Sequence, residues 1–152
     1  MKNAAIFDSY PVFAKPKLVI MDEAVIKYYR KLLRSGFKYA GTVDNPDIFI
    51  DTVSENVPLC GHAGDYLHLY IHVRDGKIAA ARYLCTCEPT TNVVVEILCG
   101  LVQNKTLAEV KQINENFFSE ELASDGKDLR HKAAGLLELL HRGLDRYLAE
   151  RI

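Results

Sequence analysis

The chain has 152 residues, 49% of them hydrophobic and 26% charged, which suits one globular domain with a core that needs no disulfide framework. Lys and Arg total 19 against 20 Asp and Glu, and the resulting charge of −1, with no basic stripe in view, gives no electrostatic basis for nucleic-acid binding. No apolar run of about 18 residues is present to cross a membrane, and Met1 to Leu18 lacks the basic-then-apolar order of a signal peptide.

The chain therefore reads as cytoplasmic, with its four cysteines reduced and available for metal or redox work. Residues 1–20 form an irregular extension, because Pro11 and Pro16 break any helix. The single domain spans 21–152. A helix is predicted from Met21 to Leu33, with Asp22 and Glu23 at its positive end and Ala24, Tyr28 and Leu32 on one face. Ser35-Gly36 ends it. Gly41 to Pro46 is turn chemistry, and Asp47 to Val53 alternates as a strand.

Asn56 to Gly64 is a loop. Tyr66 to Val73 then alternates, with Leu67, Leu69, Ile71 and Val73 on one face. Tyr66, His68, Tyr70 and His72 make a polar opposite face. Asp75-Gly76 is a two-residue hairpin signal, and a second strand follows from Lys77 to Cys85. Three helices are expected after it. One starts at Pro89 and runs to Val102, and one opens at Thr106 with Glu109 completing a capping box. The last is capped by Ser124 or Asp125 and runs to Arg151, burying Leu129, Ala133, Leu136, Leu137, Leu140, Leu144 and Leu148. Strands first and helices after give an α+β fold, an antiparallel sheet with helices on one face.

The hairpin count has chemical consequences. With Arg74 facing Lys77, Tyr66 lies opposite Cys85, Asp65 opposite Thr86 and Gly64 opposite Cys87. Cys85 and Cys87 share a face. The open end of the hairpin thus gathers Asp65, Cys85 and Cys87, with Cys60 one loop away. Arg82 falls on the apolar face, which is the mark of a bulge that would shift this register by one. Thiolates, a carboxylate and an imidazole suit zinc or iron. His131, in the first turn of the last helix, is the candidate imidazole, and His62 is a reserve. Cys99 belongs to an apolar helix and reads as core, and His141 lies on a solvated helix face.

Several stretches together resemble the IscU/NifU-type iron–sulfur cluster scaffold proteins, over roughly residues 21–150. Val25-Ile26-Lys27-Tyr28-Tyr29 resembles that family's opening helix, and Gly41 to Pro46 the loop after it. Pro58-Leu59-Cys60-Gly61 resembles the first ligand motif, Cys-Gly-Asp. Gly76-Lys77-Ile78 and Ala81-Arg82-Tyr83 match the hairpin, and Cys87 falls at the second cysteine. Asn104-Lys105-Thr106 resembles the Gly-Lys-Thr before the next helix, and Leu129-Arg130-His131-Lys132 a histidine–cysteine pair on the last one.

The chain also departs from the pattern. Asp65 lies three residues later than Cys-Gly-Asp would put it, Thr86 replaces a glycine, and Lys132 replaces the third cysteine. The family's Leu-Pro-Pro-Val-Lys stretch is absent, since residues 122–127 read Leu-Ala-Ser-Asp-Gly-Lys. Lys132 is not a ligand in its charged form, but could hold a carboxylate or thiolate in an ion pair. Cys85 is a possible third thiol.

The resemblance implies a small three-stranded antiparallel sheet and a scaffold rather than an enzyme. It implies iron or a labile Fe–S cluster as cargo, with Cys60, Cys87 and His131 holding it. A cysteine desulfurase and acceptor apo-proteins are the implied partners, with no nucleic acid and no membrane. The alternative is a relative holding zinc or iron through Cys60, Asp65, Cys87 and His131 as a regulatory or binding module. A third reading is a thiol enzyme with a cysteine nucleophile and His131 as base.

Overall fold

The computed structural model describes residues 22–57, 59–61 and 63–151. The extension assigned to 1–20 and the reserve imidazole His62 lie outside the described residues. Among the described residues nine elements follow one another: α1 (Glu23–Ser35), β1 (Ile48–Asp51), α2 (Thr52–Glu55), β2 (Leu67–Arg74), β3 (Lys77–Cys85), α3 (Pro89–Val102), α4 (Leu107–Lys111), α5 (Glu115–Leu122) and α6 (Lys127–Ala149). The strands form one antiparallel sheet in the order β1-β2-β3. The α+β expectation holds, with α6 packed under β1 and α3 under β3.

Local chemistry explains most boundaries. The Asp22 carboxylate accepts the Ala24 N–H at 2.8 Å and starts α1 two residues later than expected. Gly36, at φ 99°, ends it. The buried stripe of α1 runs through Val25 and Leu32 rather than Ala24. The opposite face exposes Lys27, Arg30, Lys31 and Arg34 at helical spacing, a basic stripe that the near-zero net charge conceals. β1 stops at Asp51, short of Val53, because the Asp51 side chain caps α2 by accepting from Val53 N–H and the Ser54 hydroxyl. Asp75 and Gly76 both have positive φ, at 53° and 73°, as a two-residue hairpin of this hand requires.

Two helix expectations need correction. α5 was not foreseen; it is capped by Asn114 and buries Phe118 and Leu122 at i, i+4. α6 begins after Gly126, not after Ser124 or Asp125, because the Ser124 hydroxyl is committed to the Asp22 carboxylate and joins the starts of α1 and α6. Leu129 to Leu144 of the α6 stripe are buried as expected, whereas Leu148 is exposed beyond the sheet.

One apolar core fills the space between sheet and helices. Ile48, Ile50, Leu67, Leu69, Ile71, Ile78, Ala81 and Tyr83 supply the sheet's inner face, while Phe49 stays exposed on the outer one. The Tyr83 hydroxyl lies 2.8 Å from the buried Glu96 carboxyl and 3.1 Å from Asn92, tying β3 to α3. Burial, that hydrogen bond and the Glu96 charge push the phenol's pKa up.

α6 crosses β1 closely at Gly143. A Cβ there would meet Ile50 Cδ1 at 2.9 Å and Ile48 Cγ2 at 3.0 Å. Overpacking of this kind costs about 1–3 kcal/mol, against about 1 kcal/mol of helix propensity that alanine returns. Gly143→Ala should therefore lower the urea midpoint. A raised midpoint would show that the sheet yields at this crossing.

Candidate functional site

The hairpin register differs by one from the simple count. Arg74 faces Lys77 and Val73 faces Ile78, but His72 faces Ala80, so a bulge falls between His72 and Val73. Beyond it Leu67 faces Cys85, in place of Tyr66. Arg82 is consequently exposed instead of on the apolar face. The ladder runs on past the strand ends: Thr86 N–H donates to Tyr66 O at 3.0 Å, and Tyr66 N–H to Thr86 Oγ1 at 2.9 Å. Tyr66, not Asp65, is therefore opposite Thr86. Asp65 still touches Thr86, accepting its hydroxyl at 3.2 Å.

This end of the sheet receives the Cys60 loop. Leu59 anchors the loop at 2% exposure. It seats against Gly135 of α6, where a Cβ would lie 2.8 Å from Leu59 Cδ2. The Leu59 carbonyl accepts the Thr91 hydroxyl of α3 at 2.8 Å. Cys60 is thereby delivered to Cys87, with the two Cα atoms 4.8 Å apart and the two sulfurs side by side. Among the described residues Cys85 and Cys99 have no cysteine beside them. Cys87 Sγ also lies 3.5 Å from Tyr66 O.

Under the pair sits Lys132, only 8% exposed although charged. Its ammonium donates to Leu59 O at 2.7 Å and lies 2.5 Å from Glu88 Oε2. Glu88 Oε1 accepts the Gly61 N–H at 3.4 Å. Burial raises the Glu88 pKa. The Lys132 hydrogen bond, Glu88's own N–H, the Lys132 charge and the Gly61 N–H outweigh it and hold the carboxyl below its usual range. Lys132 thus joins the residue before Cys60 to the residue after Cys87. The sequence allowed Lys132 a carboxylate or a thiolate as partner but identified neither Glu88 nor Leu59. The signal for Glu88 was its place between Cys87 and Pro89 at the N-cap of α3, where its side chain makes no cap hydrogen bond.

The remaining candidates divide. Cys85 is half-buried in the same corner. Burial foremost, then the Glu88 and Asp65 charges, push its thiol up to about 11 against the pull of the Cys87 N–H. Asp65 lines an open cleft of about 480 Å³ together with Cys60, Ala63 and Gly64. His131 is exposed and lines a different cleft, of about 400 Å³, with Asn56, Glu138 and Arg142. Cys99 is fully buried in α3, and burial pushes its thiol up. Among the described residues no three His, Cys, Asp or Glu side chains are arranged to hold a metal ion. The structure thus brings Cys60 and Cys87 together, with Cys85 and Asp65 flanking, and places the exposed His131 on the neighbouring cleft, which shares Asn56, Val57 and Leu59 with theirs. Cys60 and Cys87 supply two of the four donors that a zinc site usually takes, and the flanking Cys85 and Asp65 are not arranged around a common point with them.

Known structures share this arrangement of elements. One is a putative iron–sulfur cluster assembly scaffold protein for the SUF system from Fervidobacterium islandicum AW-1. It is 15% identical, with 82% of this chain and 96% of that one covered and a TM-score of 0.51. Another is the N-terminal part of a nitrogen-fixing NifU-like protein from Brucella abortus, 13% identical over 86% and 95%, also at 0.51. The fold is NifU/SufU-like. A hypothetical protein of known crystal structure matches at 17% identity, 79% and 98% coverage and 0.55. No protein-family model matches the chain, and no curated protein matches it significantly. Among the described residues, no helix is long and apolar enough to cross a membrane.

Proposed function

We propose that this chain is a scaffold-type protein of iron–sulfur cluster assembly. It takes iron or a labile Fe–S cluster as cargo on Cys60 and Cys87 and passes it to acceptor proteins. The observation that carries the reading is the thiol pair itself. Two cysteines distant in sequence are set together at the open rim of a NifU/SufU-like sheet, with Cys60 facing solvent through the adjoining cleft. Cargo that must leave again needs such access. Cys85 and Asp65 flank the pair and are its candidate additional ligands. On this reading the protein works in the cytoplasm, binds and hands on without turnover of its own, and meets a cysteine desulfurase and apo-protein acceptors.

A second reading is favoured by Lys132. Its ion pair with Glu88 occupies the place that the scaffold resemblance gives to a third cysteine. A relative so altered could bind zinc or iron as a regulatory module without building clusters. Anaerobic reconstitution with ferrous iron, cysteine and a desulfurase separates the two. The scaffold reading expects visible sulfur-to-iron charge-transfer absorption, matched iron and acid-labile sulfide, and transfer to an apo-ferredoxin. A colourless product carrying one stoichiometric zinc would overturn it and support the second.

A further inference from the structure

The contacts around Lys132 form a brace. Its ammonium holds the carbonyl immediately before Cys60 and the carboxylate immediately after Cys87. That carboxylate in turn accepts the N–H immediately after Cys60. The braced Cα separation of 4.8 Å lies inside the window in which two cysteines bond without backbone movement. The two thiols also differ in setting. Cys60 opens onto the solvent cleft, whereas Cys87 sits behind it against Tyr66 O. A pair held this close can do something that a spread ligand set cannot. It can deliver two electrons to a sulfur atom bound on one of its members.

We propose that Cys60 and Cys87 form a sulfide-releasing dithiol, which accepts sulfane sulfur on Cys60 and expels it as hydrosulfide. The choice of substrate class rests on the scaffold reading. In the step, Cys60 carries an outer sulfur as a persulfide. The Cys87 thiolate attacks Cys60 Sγ, the Cys60–Cys87 bond forms, and the bond to the outer sulfur breaks. The outer sulfur leaves with the electron pair as hydrosulfide. Sulfane sulfur is reduced by two electrons, and the two cysteines supply them by becoming a disulfide. The proton lost from Cys87 passes to solvent. Hydrosulfide departs more readily than an alkyl thiolate because its conjugate acid is stronger. An external dithiol reductant then returns two electrons and two protons, and the cycle restarts. Lys132 is a positioning residue here, since it touches neither sulfur in the role described but fixes the backbone on both sides of the pair.

The test uses the full chain, reduced and free of metal and reductant, mixed under argon with one equivalent of glutathione persulfide. The expected result is about one equivalent of hydrosulfide, trapped by alkylation, and a protein mass about 2 Da below the reduced form. Cys87→Ser should instead keep an adduct of about 32 Da on Cys60 and release nothing. Cys99→Ala should behave as wild type. Lys132→Met should acquire the adduct normally yet release sulfide on the order of 10- to 100-fold more slowly, as misplacement of a braced nucleophile implies. Wild type that retains the adduct, or takes up none, overturns the proposal, and so does release that depends on Cys85 instead of Cys87. No iron is present, so the outcome is separable from cluster assembly. A protein that holds a cluster on reconstitution but keeps the adduct refutes this step alone. One that releases sulfide but never holds a cluster refutes the scaffold reading alone.

Discussion

Replacing Lys132 with methionine is expected to lower the unfolding free energy by about 2–3 kcal/mol at neutral pH. Methionine fills a similar volume, so the change isolates the ammonium. Its loss strands Glu88 beside an apolar side chain, and breaking a buried pair by removing one partner costs about 3–5 kcal/mol. The lower figure applies because the Glu88 side chain remains 31% exposed and recovers part of its hydration. Leu59 O keeps the Thr91 hydroxyl, so no orphaned carbonyl adds to the loss. The pH dependence identifies the cause. Glu88 is held below its usual range in the folded protein, so its contribution is present above the unfolded carboxyl's pKa of about 4.3. It disappears as pH falls through the depressed folded value. The gap between wild type and Lys132→Met, measured by urea unfolding, should be full at pH 7 and shrink in strong acid. An equal gap at both ends of the range would assign the loss to packing rather than charge.

Much of this corner was legible in the sequence, and what escaped was what depends on distant partners. Alternation placed β2 and β3, and Asp75-Gly76 fixed the turn between them, because both signals are local. The register beyond the bulge was not fixed by the turn. Arg82 announced the slip, since a guanidinium cannot stay on a face that buries Ala81 and Tyr83. α5 escaped because its eight residues bury only Phe118 and Leu122, too few for a clear period. His131 and Lys132 show the limit of motif matching. Relative to buried Leu129, a helical turn of 3.6 residues puts position 131 on the outer side and position 132 at the edge of the buried stripe. Periodicity alone therefore favoured Lys132 as the inward residue, and the structure buries it while exposing His131. Nothing local could name Glu88 as its partner. That pairing arises only when α6 packs beneath the junction of β3 and α3.

The same brace decides what restoring a third cysteine should do. If Lys132 were a simple loss of a ligand, Lys132→Cys alone would return the site to three thiols and lengthen cluster retention. The structure points to a different outcome, because the substitution also removes the cation that Glu88 faces at 2.5 Å. The new thiolate would then share the corner with a carboxylate that has lost its cation, and a nearby like charge disfavours the ionised form of each. The thiolate is the ligand, so iron affinity suffers with it. Lys132→Cys should therefore gain little and lose stability much as Lys132→Met does. Combining it with Glu88→Ala removes the repulsion, and the double variant should hold a reconstituted cluster on the order of 10-fold longer than wild type, the equivalent of about 1.4 kcal/mol. Decay of the charge-transfer absorption in the presence of a chelator reads this directly. Equal gains from the single and double variants would mean that Glu88 does not control the ligand position. No gain from either would mean that Cys60 and Cys87 are set too close together to share a cluster with position 132. The pair would then be committed to the dithiol chemistry that its spacing already favours.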